Sequence, residues 1–577
     1  MTTVPPETPA RMTVDLLVVG SGTGMAAALA ASELGMSCLV LEKTEYVGGS
    51  TARSGGAFWL PANPVLRAAR SGDSLEAARA YLKSVVAGTG APERHDSCLN
   101  HSAETVEMLR RTTPLKFMWT KGYPDYHPEH PGGSVLGRTC ESRPFDTRRL
   151  GARESQLRPG VMKSSFPMPT TGADYRWVNL VARVPSKGVA RIARRAAQGL
   201  GGQLLRRHYV AGGQALAAGL FAGILGARIP LWTTTSLRRL LTDGNRVTGA
   251  IVDRGGQSIE IIARRGVVLA AGGFDHDMGW RWKFQSESLV AQASLGAEGN
   301  TGDAIRIAQD VGAGIDLMDQ AWWFPAFAAL PGRNPKIMLA ERSLPGSLVV
   351  DQNGRRFVNE ATDYMSFGQR FFEREQAGEP VEAMWIVFDQ HYRNSYLLAG
   401  ELLPRQSLPK RWYDAGIAYH SDSLVGLARA MGLPVDTFAS TMERFNALAT
   451  DGEDHDFGRG NSAYDRYYGD PTISPNPNLR PLSHGPFYAV RMVLSDLGTC
   501  GGLRADARAR VLREDGTAID GLYAIGNTAA NVFGVTYPGA GATIGQGLVF
   551  GYVAALDAAK GPRGPAVAIS GTKGKET

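Results

Sequence analysis

The chain has 577 residues, of which 43% are hydrophobic and 20% charged, a balance typical of a soluble globular protein. This balance excludes a disordered, collagen-like or coiled-coil protein, and the length suggests about three or four structural units. The net charge of +7 is concentrated locally, because residues 175–242 contain eleven Lys and Arg and no acid. Such a region indicates one basic surface patch and argues against a nucleic-acid partner.

Cysteine usage and the N-terminus indicate the compartment. The four cysteines lie far apart and include no CxxC pair, which argues against a metal site or a disulfide framework. A reducing compartment is therefore expected. The first residues, MTTVPPETPARMTV, lack the apolar core of a signal peptide, which favours the cytoplasm.

The N-terminal residues predict a strand, a turn, a helix and a second strand. These elements are strand 14–19, turn 20–24, helix 25–34 and strand 37–41. Together they make a βαβ unit with a glycine-rich first turn, which is typical of a dinucleotide site. The free N–H groups at the start of the helix would bind the phosphates.

Each residue of the fingerprint has its own task. Gly20 permits the tight turn, and Gly22 lets a pyrophosphate approach the backbone. Met25 stands at the third position of the fingerprint, where Gly or Ala is usual. Glu42, 22 residues after Gly20, would accept hydrogen bonds from the ribose of an adenosine. The alternative is an ordinary strand–turn–helix without a ligand.

Further glycine clusters favour FAD over NAD. Just past the second strand, KTEYVGGSTARSGGAFWLP offers two close approaches to a ligand, at Gly48-Gly49-Ser50 and Ser54-Gly55-Gly56. Far downstream, GLYAIGNTAANVFGVTYPGAGATIGQG resembles the strand–turn–helix that closes over a flavin. A helix starting near Thr543 would point its N-terminus at the flavin O2. The chain must therefore leave the FAD domain and return to it.

Extended motifs resemble the fumarate reductase / ketosteroid dehydrogenase superfamily of flavoproteins, and within it the 3-ketosteroid Δ1-dehydrogenases. The matching stretches are LEKTEYVGGSTARSGGAFWLPANPV, YPDYHPEHPGG, VVLAAGGF, NTGDA, DQAWWFP, FVNEATDYMSFG, GPFYAVRMVLSDLGTCGGL and GLYAIGNTAANVFGVTYPGAG. The resemblance implies an α/β fold with a discontinuous Rossmann-type FAD-binding domain and an α+β catalytic domain. The expected boundaries are 1–320 and 499–560 for the FAD-binding domain, 321–498 for the catalytic domain, and 561–577 for a flexible tail.

The resemblance also implies a reaction, the 1,2-dehydrogenation of 3-oxo-4-ene steroids. Tyr364 matches the base that takes the C2 proton, and Tyr126 matches the tyrosine bonded to that base. Tyr537 and the backbone N–H of Gly541 match the donors to the C3 carbonyl oxygen. Tyrosinate is a plausible base only if its pKa of about 10 is lowered. A second tyrosine and the flavin environment are the groups able to lower it, and the sequence leaves open whether they do.

The cofactor is expected to be non-covalent FAD, because no His lies near the Gly48-Gly49-Ser50 turn. Flavin N5 would take the C1 hydride, and a quinone or another acceptor would reoxidise the flavin. The expected FAD-binding residues are Gly20, Gly22, Gly24, Glu42, Lys43, Gly48, Gly49, Ser50, Ser54, Gly55, Gly56, Ala271, Gly272, Asp303, Gly526, Asn527, Thr543 and Ile544.

Three alternatives stay open. A Δ4-dehydrogenase of the same superfamily would need another pocket geometry, and the YPGAG match argues against it. A fumarate-reductase-type enzyme is disfavoured because SDLGTCGG, at 495–502, has no preceding His to grip a dicarboxylate. A flavin-binding redox subunit would have no small substrate of its own.

Residues 178–209 form a basic insertion that the resemblance does not account for. On a helix, Lys187, Arg191, Arg194, Arg195 and Gln198 lie within about 50° of one direction. Val189, Ile192, Ala193, Ala196 and Leu200 lie on the other side. Opposed faces of this kind are typical of a helix in a membrane interface, and the seven Lys and Arg from Arg183 to Arg207 favour an anionic surface. The alternative is an amphipathic helix packed on its own domain.

The uncharged run 208–227 has the length of a membrane span. A single crossing would split the FAD-binding domain, so we expect a core helix here. The resulting localisation is cytoplasmic, with peripheral attachment to the inner face of the membrane.

Overall fold

The structure is a computed structural model that describes residues 11–86, 88–161 and 167–561. The predicted tail, 561–577, lies outside these residues except for Gly561. All four cysteines are described, and all four are buried free thiols.

Strands occur in both halves of the chain. Within the described residues they are β1 (Arg11–Val19), β2 (Cys38–Leu41), β3 (Ala57–Trp59), β4 (Phe117–Trp119), β5 (Thr139–Ser142), β6 (Phe145–Asp146), β7 (Tyr209–Val210), β8 (Leu231–Trp232), β9 (Thr235–Asp243), β10 (Arg246–Arg254), β11 (Gln257–Leu269), β12 (Ile315–Asp316), β13 (Ala321–Phe327), β14 (Lys336–Ile337), β15 (Ser347–Asp351), β16 (Met384–Asp389), β17 (Ala418–Ser421), β18 (Phe487–Thr499), β19 (Gly502–Leu503), β20 (Arg510–Leu512) and β21 (Ala518–Ala524).

Helices connect and cover these strands. They are α1 (Gly24–Glu33), α2 (Gly49–Arg53), α3 (Pro64–Ala68), α4 (Leu75–Val85), α5 (Pro92–Asn100), α6 (Ser102–Thr112), α7 (Gly172–Asn179), α8 (Pro185–Leu204), α9 (Gly212–Gly226), α10 (Met278–Phe284), α11 (Asp303–Gln309), α12 (Tyr364–Gln376), α13 (Gln390–Ser395), α14 (Lys410–Asp414), α15 (Leu424–Met431), α16 (Val435–Asp451), α17 (Ala463–Tyr467) and α18 (Ala542–Lys560). Short 3-10 turns occur at Thr147–Gln156, Glu341–Ser343 and Gly526–Thr528.

One large sheet joins the two ends of the chain. Its order is β20-β21-β10-β11-β1-β2-β8, with β9 paired to β10. Strand β1 is parallel to both β2 and β11, and β21 is parallel to β11. Six consecutive buried residues in β1 suit this central position, because a parallel strand is covered on both faces.

The register of the parallel strands brings their carboxyl ends to one edge. Val19 pairs with Leu41 and with Leu269, and Leu269 pairs with Ala524. The segments that follow these four residues therefore meet at the same edge. Ligands of open α/β sheets bind at this position.

A second sheet is built from the middle of the chain. Its order is β14-β13-β18-β16-β15, with β17 paired to β18, and its pairs are antiparallel. It begins at Ala321, and its longest strand ends at Thr499. The domain boundaries at 320/321 and 498/499 stay predictions, although this sheet lies almost entirely between them.

The apolar segments 208–227 and 542–560 form buried helices. Helix α9 buries most of its residues, as expected for a core helix. Among the described residues, α18 is long and apolar enough to cross a membrane, but 72% of its apolar window is buried within the protein. It packs against α1 under the first sheet.

The basic insertion forms α8, which packs on α7. Three of the four residues that α8 buries are glycines, Gly188, Gly199 and Gly202. The fourth is Arg195, which pairs with the buried carboxylate of Asp174 at 2.5 Å. Helix α8 therefore packs on the protein through a face of glycines and one buried arginine, Arg195. Its apolar face points toward solvent.

Candidate active site

The segments after β1, β2, β11 and β21 line one cavity of about 990 Å³. Each of the four segments contributes lining residues, among them Gly20, Glu42, Ala271 and Gly526. The cavity continues past α18 to the aromatic residues between the two sheets. One continuous space thus joins the dinucleotide fingerprint to the predicted catalytic tyrosines.

The three glycines of the fingerprint are required for different reasons. Gly20 has a φ of +115°, and a Cβ there would lie 2.0 Å from the carbonyl oxygen of Ala270. A Cβ on Gly22 would meet no protein atom closer than 3.2 Å, and its backbone faces the cavity. Gly24 lies behind the wall, where a Cβ would come within 2.9 Å of Val18 and Ala270. Gly22 is therefore the position at which a ligand can reach the backbone.

Glu42 is held by its neighbours at the edge of the cavity. Its carboxylate accepts hydrogen bonds from Ser21 Oγ at 2.5 Å and from Thr44, through N at 2.9 Å and Oγ1 at 2.7 Å. Each carboxylate oxygen has two lone pairs, so acceptor capacity remains for a ribose hydroxyl. Binding of the ribose by Glu42 stays a prediction, with which this geometry is compatible.

Lys43 and Asp303 form a second polar group on the wall. Lys43 Nζ donates to Asp303 Oδ2 at 2.6 Å and to Thr301 Oγ1 at 2.8 Å. Burial raises the pKa of Asp303, but the hydrogen bonds from Lys43 and Thr301 outweigh it and leave that pKa below its usual value. The pair joins β2 to α11 beside the adenosine end of the cavity.

Most of the predicted FAD-binding residues line the cavity. These are Gly20, Gly22, Glu42, Lys43, Gly49, Ser50, Ser54, Gly55, Gly56, Ala271, Gly272, Asp303, Gly526, Asn527, Thr543 and Ile544. Gly24 and Gly48 are outside this set. Gly48, with a φ of +118°, starts α2 and would bring a Cβ within 2.9 Å of Ala52, so it shapes the turn from behind.

These lining residues, from Gly20 to Ile544, form a cradle that fits a dinucleotide with a flat ring system. It provides an open glycine backbone for a pyrophosphate, Glu42 for a ribose, and the first turn of α18 at the far end. Thr543 and Ile544 lie in that first turn and face the cavity. The partial positive charge of a helix N-terminus favours a reduced, anionic flavin.

The tertiary structure brings the three predicted tyrosines together. Tyr126 OH donates to Tyr364 OH at 2.8 Å. The ring centroids are 5.4 Å apart for Tyr126 and Tyr364, 5.1 Å for Tyr126 and Tyr537, and 5.3 Å for Tyr364 and Tyr537. Trp322 and Phe324, both from β13, pack against Tyr537 and Tyr364 at 4.7 Å. All three phenols line the cavity.

The protein groups around Tyr364 raise its pKa on balance. Burial raises the pKa of Tyr364 well above 10, and Tyr537 and Tyr123 add to this effect. The hydrogen bond from Tyr126 acts in the opposite direction but is the smaller influence. A buried phenolate loses its water, and one phenolic donor does not replace that solvation.

Tyr537 is oriented so that its own proton is free. Thr543 Oγ1 donates to its oxygen at 3.2 Å, and the backbone amides of Gly541 and Thr543 also point at that oxygen. Burial raises the pKa of Tyr537, and these donors lower it in part. The Gly541 N–H thus lies beside the Tyr537 hydroxyl, and it is paired with the Tyr537 oxygen until the oxygen of a ligand replaces that partner.

Gly541 has no room for a side chain. Its φ is +91°, and a Cβ would lie 2.4 Å from the backbone of Ala57. Gly541 caps α18, so its conformation sets where that helix starts. The same residue thus controls the helix N-terminus and one donor.

A buried clamp fixes Tyr126 relative to Tyr537. Pro538 O accepts from Tyr126 N at 3.1 Å and from Tyr81 OH at 2.7 Å. Asp125, next to Tyr126, pairs with Arg138 and accepts from Trp59 Nε1 at 2.9 Å. Burial raises the pKa of Asp125 to about 6, with Arg138 opposing it. The segments of two predicted catalytic tyrosines are therefore tied together by backbone and buried charge.

Several cavity residues were not predicted individually. On the cofactor side they include Thr23, Thr44, Arg158, Gln214, Thr235 and Asn300, and on the aromatic side Phe324, Ile337, Leu339, Leu397 and Tyr468. Asn300 and Phe324 lie inside the matching stretches NTGDA and DQAWWFP, so a signal existed for them. Thr23 lies in the predicted turn 20–24 and Thr44 in the stretch LEKTEYVGGSTARSGGAFWLPANPV, so local patterns also covered these two. The others carry no local pattern and reach the cavity through tertiary contacts.

The fold and the cradle define a flavoenzyme, and comparison with known proteins agrees. A family model described as FAD binding domain matches residues 15–544. The 3-oxosteroid 1-dehydrogenase of Mycobacterium tuberculosis is 44% identical over 553 residues, which cover 94% of this chain and 97% of that protein. The chain belongs to the FAD binding domain family and, within it, to the 3-ketosteroid Δ1-dehydrogenase group.

Two further relatives define the range of this group. The 3-ketosteroid Δ1-dehydrogenase of Sterolibacterium denitrificans, solved in complex with 1,4-androstadiene-3,17-dione, has a TM-score of 0.89 and 37% identity, covering 95% of this chain and 99% of that one. The 4-oxocyclohexanecarboxylate 2-dehydrogenase of Sinomonas cyclohexanicum is 34% identical over 559 residues, covering 94% of this chain and 92% of that protein. The protein is therefore an FAD-dependent oxidoreductase.

Proposed function

We propose that the protein catalyses the 1,2-dehydrogenation of 3-oxo-4-ene steroids to 3-oxo-1,4-dienes. The observation that carries this proposal is the arrangement in one cavity of a bonded Tyr126–Tyr364 pair opposite the Tyr537–Gly541 donors. The Tyr126–Tyr364 pair suits the removal of a proton from the carbon beside a ketone. The Tyr537 and Gly541 donors suit hydrogen bonding to the oxygen of that ketone. The names of the relatives support the same reaction class.

The aromatic end of the cavity suits a flat apolar substrate. Phe324, Ile337, Leu339, Leu397 and Tyr468 line it. A fused-ring ketone can lie between these side chains with little polar surface to satisfy. The identity of 44% to the 3-oxosteroid 1-dehydrogenase of Mycobacterium tuberculosis, against 34% to the Sinomonas relative, supports a steroid substrate.

Bound FAD supplies the hydride acceptor, at N5 of its flavin. Tyr364, as phenolate, takes the proton from C2 while C1 loses a hydride, and the C1–C2 bond becomes a double bond. Tyr537 OH and Gly541 N–H hold the oxygen on which enolate charge develops. Tyr126 donates to the Tyr364 oxygen and stabilises the phenolate before proton transfer. The C2 proton then leaves Tyr364 toward solvent through Tyr126.

Anaerobic visible spectroscopy of the purified protein tests this proposal. Flavin bands that bleach on addition of androst-4-ene-3,17-dione without an acceptor, with the 1,4-dien-3-one as product, are the expected result. Bleaching only with a 5α-saturated 3-oxosteroid would identify a Δ4-dehydrogenase. Bleaching only with 4-oxocyclohexanecarboxylate would identify a small keto acid as substrate. Bound flavin that no ketone bleaches would leave a redox subunit without a substrate of its own.

We also propose that the enzyme is cytoplasmic and attaches to the inner face of the membrane through α8. The apolar face of this helix is uncovered, since Val189, Leu200 and Leu204 are 54%, 43% and 87% exposed. Fewer cations are available than the sequence suggested. Arg195 is bound to Asp174, and Arg183 pairs with Asp470 at 2.7 Å. Apolar contact would therefore contribute more to attachment than charge does.

Attachment at α8 would place the cavity close to its substrate and its acceptor. Tyr175 and Val178 of α7 line the cavity, and α8 packs on α7. Steroid ketones and quinones both partition into bilayers, so both would reach the cavity from the membrane. We therefore propose a membrane quinone as the acceptor that takes electrons from the reduced, non-covalently bound FAD.

Vesicle flotation measures this attachment. Replacing Leu200 and Leu204 by Asp should abolish flotation with anionic vesicles. Replacing Val425, an exposed valine of α15, by Asp is the matched control and should leave flotation unchanged. Failure of the unchanged protein to float at low salt would refute the attachment.

A further inference from the structure

The far end of the substrate cavity carries a pair of opposite charges. Lys336, on β14, and Glu401, after α13, both line the cavity and form an ion pair. The Lys336 Nζ atom is buried and, apart from this pair, has no hydrogen-bond acceptor among the described residues. Glu401 also lies 3.7 Å from Arg411. A wall for hydrocarbon rings needs none of these charges.

Strand register places this pair at the end opposite the tyrosines. Phe324 of β13 touches Tyr364, with ring centroids 4.7 Å apart. Three residues further along β13, Phe327 pairs with Lys336. Three residues of strand span about 10 Å, the length of a fused four-ring nucleus. Side chains alternate along a strand, so Ala326, two residues beyond Phe324, shares its face and pairs with Ile337, which lines the cavity. A steroid with its C3 ketone at Tyr537 would therefore lay its D ring at Ile337 and present its C17 side chain to the adjacent Lys336–Glu401 pair.

The surroundings of the pair are positively charged. The loops 331–336 and 401–411 contain five cations, and Glu401 is the single acid. Of these cations, Arg333, Arg405 and Lys410 are exposed. This end of the cavity therefore attracts anions and favours an acidic side chain over a neutral one.

We propose that Lys336 is a specificity-determining residue that pairs with a carboxylate on the C17 side chain of the substrate. This inference rests on the proposed function and names the substrate class, 3-oxosteroids whose side chain ends in a carboxylate. Glu401 is the internal competitor, because it occupies the Lys336 ammonium until the substrate carboxylate displaces it. Arg411 then holds Glu401 in its displaced position.

The competition makes two substitutions act in opposite directions. Lys336→Met removes the partner of the substrate carboxylate and should raise KM for an acidic steroid about fivefold, the effect of one partly exposed ion pair. Glu401→Gln removes the competitor and should lower that KM by a similar factor. Neither change touches the tyrosines, so kcat should stay within about twofold. Salt should reduce both effects, since charge interactions at a cavity mouth are screened.

Steady-state kinetics on two substrates tests the inference. The holoenzyme is assayed with 3-oxopregn-4-ene-20-carboxylate and with androst-4-ene-3,17-dione, which has no charge at C17. We expect both variants to change KM only for the carboxylate. Arg405→Gln, on the same loop but outside the cavity wall, is the matched control for general loss of positive charge. Flavin content and unfolding temperature report whether each variant is folded.

Two results would overturn the inference. Equal changes for both substrates would give Lys336 a structural role only. An acidic steroid that the unchanged enzyme uses far less well than the dione, with Glu401→Gln giving no improvement, would show that the pair excludes anions. If neither substrate bleaches the flavin of the unchanged enzyme, the proposed function fails, and this outcome is distinct from the other two.

Discussion

Tyr126→Phe should shift the pH dependence of the reaction to higher pH. Burial raises the pKa of Tyr364 well above 10, so the fraction present as phenolate, and with it kcat/KM, should increase with pH across the accessible range. Tyr126 stabilises that phenolate through a hydrogen bond of 2.8 Å. Removing the Tyr126 hydroxyl raises the pKa of Tyr364 further and leaves the ring packing in place.

The size of the shift follows from the strength of this bond. A hydrogen bond to a charged group contributes about 1.5–3 kcal/mol, and one pKa unit corresponds to about 1.4 kcal/mol. The alkaline limb should therefore move by about one to two pH units, and the rate near neutral pH should fall about 10- to 100-fold.

Anaerobic stopped-flow measurement of flavin bleaching, from about pH 6 to about pH 10, gives the profile directly. Tyr464→Phe is the matched control, because its ring lies 4.7 Å from Tyr126 while its buried hydroxyl has no hydrogen-bond partner among the described residues. That variant should keep the original profile. Because both pKa values lie above this range, the rate should increase about tenfold per pH unit in both proteins, with the Tyr126→Phe rates about 10- to 100-fold lower throughout. A Tyr126→Phe rate that does not increase with pH, or that equals the rate of the unchanged enzyme, would refute the reasoning, since the hydroxyl would then not act through the pKa of Tyr364.

Three other variants test the cradle and the clamp. Gly541→Ala should reduce flavin content and unfolding temperature, because the new Cβ would lie 2.4 Å from backbone atoms; normal values of both would contradict this geometry. Glu42→Gln should weaken FAD binding about tenfold through loss of charge-assisted hydrogen bonds, as measured by fluorescence titration of the apoprotein. Arg138→Met leaves two buried carboxylates unpaired and should cost about 3–5 kcal/mol in denaturant unfolding. Arg238→Met, which breaks an exposed pair, should cost less than about 1 kcal/mol.

The cofactor site could be predicted from sequence because its signals are local. A strand, a glycine turn and a helix follow one another within residues 14–34, and each is specified by its own residues. The structure begins α1 at Gly24 and ends β2 at Leu41, close to the predicted limits. The buried helix α9 was predictable for a similar reason, since its apolar composition extends all round the helix.

The three tyrosines were identifiable by motif, but their mutual contacts were not. Tyr126, Tyr364 and Tyr537 are separated by more than 170 residues at each step, and no local pattern encodes their distances. The raised pKa of Tyr364 is also a tertiary property, because desolvation depends on everything packed around the phenol. The sequence alone left the direction of this pKa shift open.

Helix α8 shows the same division. Its periodicity determined that it has a basic face and an apolar face, but only the tertiary structure decided which of them meets the protein. Gly188, Gly199 and Gly202 allow close backbone approach, and Asp174 supplies a buried partner for Arg195. Local sequence thus fixes which surfaces an element can offer, whereas contacts between distant segments decide which surfaces are buried, and with them the charges and pKa values of the site.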